Sequence, residues 1–252
     1  MNQTLSQIYQ GSARFSRVTA GLAVLFFAGL QLTNFEITIK AQVALAVIAL
    51  AIGIPHGAID HLITIPRDST KRFIGFIAIY TLIAIIAALA IAQWNLVGFQ
   101  LVVLMSALHF GFGDAAYKNE WNESRGITKD SFLKLCAYAL PAGFLPVILP
   151  LTDPSALAAL NRINPEIADW SGSLNQNLRN LTLVLALVGF LFLLVTKNFQ
   201  SSIDLLLLIT LSLLTPPLIA FAVYFGCWHA VRHTARLVPK LPKAISFAHS
   251  GN

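Results

Sequence analysis

Long, continuously apolar runs alternate with short polar segments along most of the chain. About 20 mostly apolar residues suffice for one helix to cross a bilayer. The runs therefore predict eight membrane-spanning helices, at residues 15–33, 41–65, 73–93, 97–117, 132–151, 178–196, 202–214 and 216–238. Apolar and polar positions do not alternate within them, which disfavours a membrane β-barrel. The pattern predicts an all-α, polytopic membrane bundle, and we treat residues 1–252 as a single domain.

The last two predicted spans depend on a pair of prolines. Residues 203–238 would form one helix of about 54 Å, far longer than a hydrocarbon core of about 30 Å. Pro216 and Pro217 disfavour helical geometry in the residues before them. We therefore expect two helices that meet at the prolines, although the run at 202–214 is short enough to be re-entrant. The longest polar insert, 152–177, is expected to lie outside and to carry a short surface helix.

Composition supports the membrane assignment. Of the 252 residues, 56% are hydrophobic and 11% are charged, against about 25% charged residues in soluble domains. This disfavours a soluble enzyme, a nucleic-acid-binding protein and a disordered chain. The two cysteines, Cys136 and Cys227, lie in apolar stretches, so neither a disulfide framework nor a thiolate zinc site is indicated.

The distribution of charge predicts how the chain is oriented. The net charge is +6, and with eight spans most of the 17 basic residues fall on one side, Arg17, Lys118 and Arg232 among them. Basic loops mark the cytoplasmic side of membrane proteins, so both termini are expected in the cytoplasm. The polar N-terminus lacks the layout of a cleavable signal, so the first span is expected to be retained. We expect a multi-pass protein of the cell (inner) membrane.

Five of the six histidines lie within predicted spans, where ionisable side chains are costly and usually functional. They occur in three motifs, PHGAIDH at 55–61, HFGFGD at 109–114 and CWHAVRH at 227–233. The three spans concerned run in the same direction in the predicted topology. Their distances to the next basic residues place His56, His109 and His229 at a similar depth, about 15 Å from the cytoplasmic end. Three parallel helices would thus present imidazoles at one level.

Spacing within the motifs indicates which side chains act together. His229 and His233 are four residues apart, so both face one side of a helix and can bind one metal ion. Asp60 shares the face of His56, whereas His61 lies about 140° away from it. We predict a metal site formed by His56, His109, His229 and His233. Asp60 and His61 are expected to support these ligands from outside the metal shell.

The residues alone leave the chemistry open. Imidazole ligands suit Zn, Cu, Fe and Ni, and no HExxH motif supplies the glutamate of a zinc protease. A haem-binding membrane electron carrier and a proton-coupled transporter therefore remain alternatives. No catalytic group beyond the metal ligands is predicted. A substrate that partitions into the membrane would need an apolar pocket, for which the aromatic candidates near the motifs are Phe112, Tyr224, Phe225 and Trp228.

The three histidine motifs, in this order and on membrane spans, resemble the Brp/Blh family of β-carotene dioxygenases over roughly residues 40–240. The resemblance implies cleavage of the central 15,15′ double bond of β-carotene with O₂, giving two molecules of all-trans-retinal. It further implies non-haem Fe(2+) held by His56, His109, His229 and His233. The family also carries aspartates that match Asp60 and Asp114, so the resemblance implies a supporting role for Asp114 as well. Membrane-dissolved β-carotene would be the substrate, membrane lipid would surround the protein, and a microbial rhodopsin would receive the retinal. No nucleic-acid partner is implied.

Overall fold

The computed structural model describes residues 2–33, 37–53 and 70–241, and within these ranges every regular element is helical. The helices before the proline pair are α1 (Asn2–Leu32), α2 (Ile39–Gly53), α3 (Thr70–Gln93), α4 (Asn95–Ser124), α5 (Phe132–Val147), α6 (Pro154–Ile163), α7 (Pro165–Ala168), α8 (Asn175–Val195) and α9 (Phe199–Leu214). After the prolines come α10 (Pro217–Val223), a π-helical turn (Tyr224–His229) and α11 (Ala230–Leu237). An all-α protein is therefore confirmed for this part of the chain.

The predicted interruption at the proline pair is confirmed. Helix α9 ends at Leu214, and Thr215 and Pro216 are extended, with ψ angles of 153° and 143°. Helix α10 then begins with Pro217 at its first position, where the missing N–H removes no hydrogen bond. The prolines thus divide one long apolar stretch into two helices.

The predicted short helix in the polar insert is also present, as α6. The side chain of Asp153 accepts a hydrogen bond from the backbone N–H of Ser155 and so caps the helix, which starts with Pro154. Asn164 caps the single-turn α7 in the same way, by accepting from Glu166. Both helix starts follow the turn residues present in the sequence.

Within the described ranges, three helical segments are long and apolar enough to cross a membrane, namely Thr4–Leu32, Asn95–Ser124 and Pro165–Val195. Shorter apolar helices cover Ile39–Ala51, Phe132–Val147 and Phe199–Leu214. Helix α4 continues to Ser124, beyond the predicted boundary at 117, and residues 54–65 of the second predicted span lie outside the described ranges. The count of eight crossings and the cytoplasmic termini stay predictions.

Helices α4 and α5 approach each other at backbone distance because small residues face each other across the seam. A Cβ atom placed on Gly111 would lie 2.0 Å from the carbonyl oxygen of Ala139, and one on Gly143 would lie 1.8 Å from that of Ala107. Each helix contributes a small residue at both i and i+4, the spacing that permits close packing of membrane helices. The position of α4 relative to α5 is therefore set by glycine.

The bundle has an apolar exterior and a partly charged interior. On α3, Ile74, Ile79 and Leu89 are each more than 60% exposed. In contrast, Asp114, Asp204 and Arg232 are almost fully buried. This distribution is the reverse of that in a soluble bundle and is typical of helices surrounded by lipid.

Candidate metal centre

Three of the four predicted metal ligands lie close together. His109 comes from α4, His229 ends the π-helical turn, and His233 lies one turn later in α11. The ring centroids of His109 and His229 are 5.7 Å apart, and those of His229 and His233 are 6.0 Å apart. His229 is 1% exposed, whereas His233 is half-buried and His109 is exposed. The fourth predicted ligand, His56, lies outside the described residues, as do Asp60 and His61.

Asp114 holds His229 in place from the side. One carboxylate oxygen lies 3.1 Å from Nδ1 of His229, and the other accepts hydrogen bonds from the Tyr224 hydroxyl at 3.1 Å and the Trp228 indole N–H at 3.0 Å. An ionised carboxylate can only accept, so the hydrogen bond places a proton on Nδ1 of His229, and Nε2 is the nitrogen that a neutral ring would offer to a metal ion. This is the usual arrangement of a metal-binding histidine supported by a carboxylate. The predicted supporting role of Asp114 thus gains a specific partner.

The π-helical turn brings the three donors onto one carboxylate. Tyr224 and His229 are five residues apart and would diverge by about 140° on a regular α-helix. Here the backbone N–H of Ala230 bonds to the carbonyl of Phe225, five residues earlier. The rings of Tyr224 and His229 are consequently only 6.1 Å apart and inclined by 29°. Such turns are rare and often mark functional sites, and neither periodicity nor composition predicts this one.

The HFGFGD motif combines ligand placement with space for the partner helix. Phe110 packs against the ring of His229 with centroids 4.6 Å apart. A Cβ atom on Gly113 would lie 3.0 Å from Cε1 of His229, so a glycine here leaves room for the imidazole. Phe112 instead lies on the outer side of α4 and is 38% exposed. Phe110 is therefore an aromatic neighbour of the site that the sequence did not single out.

The other aromatic candidates line the interior side of the site. Tyr224 and Trp228 are fully buried, and Phe225 is 6% exposed. A Cβ atom on Gly53 would lie 2.2 Å from the Phe225 ring, which packs directly against the end of α2. The PHGAIDH motif begins at residue 55, two residues after Gly53, which contacts the Phe225 ring. Contact of any of these side chains with a substrate stays a prediction.

An ionic cluster centred on the buried Asp204 lies next to the π-helical turn and was not predicted. Asp204 of α9 accepts from Arg17 at 2.6 Å, from Lys118 at 2.7 Å and from Arg232 at 3.1 Å. The Arg232 guanidinium lies 3.7 Å from the ring centroid of Trp228, the same side chain that donates to Asp114. The cluster thus contacts the π-helical turn through the ring of Trp228.

This cluster revises how three basic residues are interpreted. Sequence reasoning counted Arg17, Lys118 and Arg232 as flanking charges, but they converge from three helices on one interior carboxylate. Asp204 is the sequence feature that could have indicated this cluster, because an acidic residue within an apolar run usually has a buried partner. Long cationic side chains at helix ends can reach inward as well as outward, which sequence position cannot distinguish.

Imidazole nitrogens are donors that suit a transition metal. Metal–nitrogen bonds of about 2.1 Å place two ring centroids on a common ion about 4.5–6.5 Å apart, a range that includes both spacings seen here. Within residues 2–33, 37–53 and 70–241, however, no group of three or more His, Cys, Asp or Glu side chains has the arrangement needed to hold a metal ion. A complete ligand set therefore depends on His56 and on movement of the three rings.

The fold and this site define a membrane-type helical protein with a histidine–aspartate centre. The family described as Beta-carotene 15,15'-dioxygenase matches residues 47–249, which include all three histidine motifs, and the chain belongs to this family. The resemblance drawn from the motifs is thereby confirmed.

A relative described as Beta-carotene 15,15'-dioxygenase, from an uncultured marine bacterium 66A03, is 29% identical over 206 residues. The match covers 75% of this chain and 66% of the relative, so the chain spans slightly less than two thirds of that protein. No solved structure matches the chain.

Proposed function

We propose that this protein cleaves the central 15,15′ double bond of β-carotene with O₂ to give two molecules of all-trans-retinal. The reaction breaks one C=C bond and the O–O bond and forms two aldehyde C=O bonds, so atoms and electrons balance without a further reductant. The family match over 47–249 carries the proposal, because it includes every histidine motif. The relative's printed activity is the same reaction class.

The proposed cofactor is non-haem Fe(2+) held by His56, His109, His229 and His233. When bound, the iron would supply the redox-active centre that activates dioxygen. Neutral imidazoles suit this ion and leave it positively charged. The carboxylate of Asp114 lies within hydrogen-bond distance of Nδ1 of His229 and would leave Nε2 of a neutral ring available to the metal. Asp114 is thus a positioning residue, and no acid or base from the chain is required.

The surroundings of the site suit an apolar polyene. Phe110, Tyr224 and Phe225 form a continuous aromatic wall, with Phe110 centroids 5.9 Å and 5.6 Å from the other two. Tyr224 and Phe225 of this wall are buried, and hydrocarbon around the bundle would exclude water from the neighbourhood of the histidines. We propose that the length of an apolar tunnel fixes which double bond reaches the centre. Phe112, Tyr224, Phe225 and Trp228 remain the proposed pocket residues.

The proposed setting is the cell (inner) membrane, with several crossings and both termini in the cytoplasm. The apolar outer faces of α3 and α4 support this setting, because they would be costly in water. β-Carotene dissolves in the same hydrocarbon phase. Retinal released there would be available to a microbial rhodopsin.

The decisive experiment is expression of the chain in cells that accumulate β-carotene. We expect the orange colour to fade and retinal to appear in extracts analysed by chromatography. His229→Ala should abolish retinal formation and lower the iron content of the purified protein. His249→Ala is the matched control, because it removes a histidine outside the motifs. Unchanged carotenoid in cells that contain the folded wild-type protein would refute the proposal.

A further inference from the structure

A second polar site lies along the first half of α1, outside the histidine centre. A cavity of about 420 Å³ opens between α1, the end of α4 and the start of α9. Three arginines, Arg14, Arg17 and Arg125, line it together with Trp121, and none of its lining residues is acidic. The cavity is therefore strongly positive.

Three hydrogen-bond donors on residues that line this cavity are buried and have no acceptor within the described part of the chain. They are Nη2 of Arg17, Nε of Arg125 and the indole Nε1 of Trp121, which belongs to a side chain only 5% exposed. Buried donors are almost always satisfied in folded proteins, so three on one cavity indicate a missing acceptor. The two guanidinium carbons lie 5.8 Å and 4.5 Å from the ring centroid of Trp121. The guanidinium groups of Arg17 and Arg125 thus both lie next to the indole of Trp121.

The positive charge of the cavity is not neutralised by the protein. Arg17 bonds to Asp204, but that carboxylate also serves Lys118 and Arg232. Among the described residues, Arg125 bonds to neutral oxygens, those of the Asn122 and Gln200 side chains. Burial and the neighbouring Arg17 guanidinium lower the pKa of Arg125. An anion bound among these arginines would relieve this repulsion.

We propose that this cavity binds a phosphate group. Guanidinium donors match the geometry of phosphate oxygens, and an indole N–H adds a neutral donor. A lipid headgroup and free phosphate share this chemistry. The neighbouring surface of α1 favours the lipid, because Phe15, Val18 and Leu22 are 49%, 50% and 61% exposed, and Val18 also lines the cavity. Basic pockets between membrane helices are typical sites for anionic headgroups.

The test uses the full-length protein in detergent. Native mass spectrometry should show retention of phosphatidylglycerol in preference to phosphatidylcholine with the same acyl chains. Arg125→Gln and Arg14→Gln should each weaken this retention about tenfold or more. Lys134→Gln is the matched control, because it removes one positive charge from the adjacent groove but does not line the cavity. Arg14 is exposed, so Arg14→Gln decides the question if Arg125→Gln does not fold.

A parallel titration with inorganic phosphate distinguishes the source. Phosphate that fails to displace phosphatidylglycerol assigns the site to lipid. The site is assigned to a soluble anion if the wild type binds phosphate, Arg125→Gln does not, and the protein shows no preference between the two lipids. If neither probe distinguishes the two arginine variants from Lys134→Gln, the cavity is not a phosphate site.

Discussion

Gly111→Ala tests whether the glycine contact between α4 and α5 sets the geometry of the histidine centre. The added methyl group would lie 2.0 Å from the carbonyl oxygen of Ala139, whereas ordinary contacts begin at 3.4 Å. The helices must therefore separate by about 1.4 Å, because the obstructing atom belongs to the backbone and cannot rotate away. Overpacking of this kind costs about 1–3 kcal/mol. We expect a lower midpoint of thermal unfolding in detergent.

The same displacement of the helices should also lower the rate of retinal formation strongly. Helix α4 carries His109 two residues before Gly111 and Asp114 three residues after it. A misplacement of about 1 Å at a reacting centre costs about 10²-fold in rate. Retinal formation in membranes containing equal amounts of folded protein should fall by about this factor.

Gly21→Ala is the control for the same substitution in a helix. A Cβ atom at Gly21 has no neighbour within 4 Å, so only the gain in helix propensity remains. That gain is about 0.5–1 kcal/mol, and retinal formation should not change. If Gly111→Ala unfolds at the wild-type temperature and forms retinal at the wild-type rate, the close helix contact does not position the site.

Three further substitutions test the network behind the histidines. Asp114→Asn retains one acceptor oxygen for Tyr224 and Trp228 but presents an NH₂ group to Nδ1 of His229. Because that NH₂ group needs an acceptor, the ring proton moves to Nε2. We therefore expect iron affinity, measured as metal per protein, to fall about 10–100-fold. Asp204→Asn leaves the buried Lys118 and Arg232 and the partly exposed Arg17 without a counter-charge and should cost about 3–5 kcal/mol in unfolding free energy. In contrast, Asp153→Asn, which preserves a helix cap, should be neutral. Trp228→Phe keeps the ring beneath Arg232 but removes the donor to Asp114, so we expect a loss of about 1–3 kcal/mol in thermal unfolding. Wild-type iron content in Asp114→Asn, or wild-type stability in either of the other two variants, would contradict the corresponding role.

Much of the helical architecture follows from local properties of the chain. Apolar runs, the proline pair at 216–217 and the caps at Asp153 and Asn164 act over a few residues, so their effects are readable in sequence. The i, i+4 relation of His229 and His233 is likewise local. The three histidine motifs were sufficient to indicate the family.

The arrangement of side chains around Asp114 and Asp204 depended on the tertiary structure. A π-helical turn needs one extra residue accommodated by neighbouring helices, and no residue type specifies it locally. The direction of Arg17, Lys118 and Arg232 depended on where Asp204 lies, which is set by packing between helices distant in sequence. Hydrophobicity and helix geometry are properties of short segments, whereas burial of a charge is decided by the partners that the whole bundle brings to it.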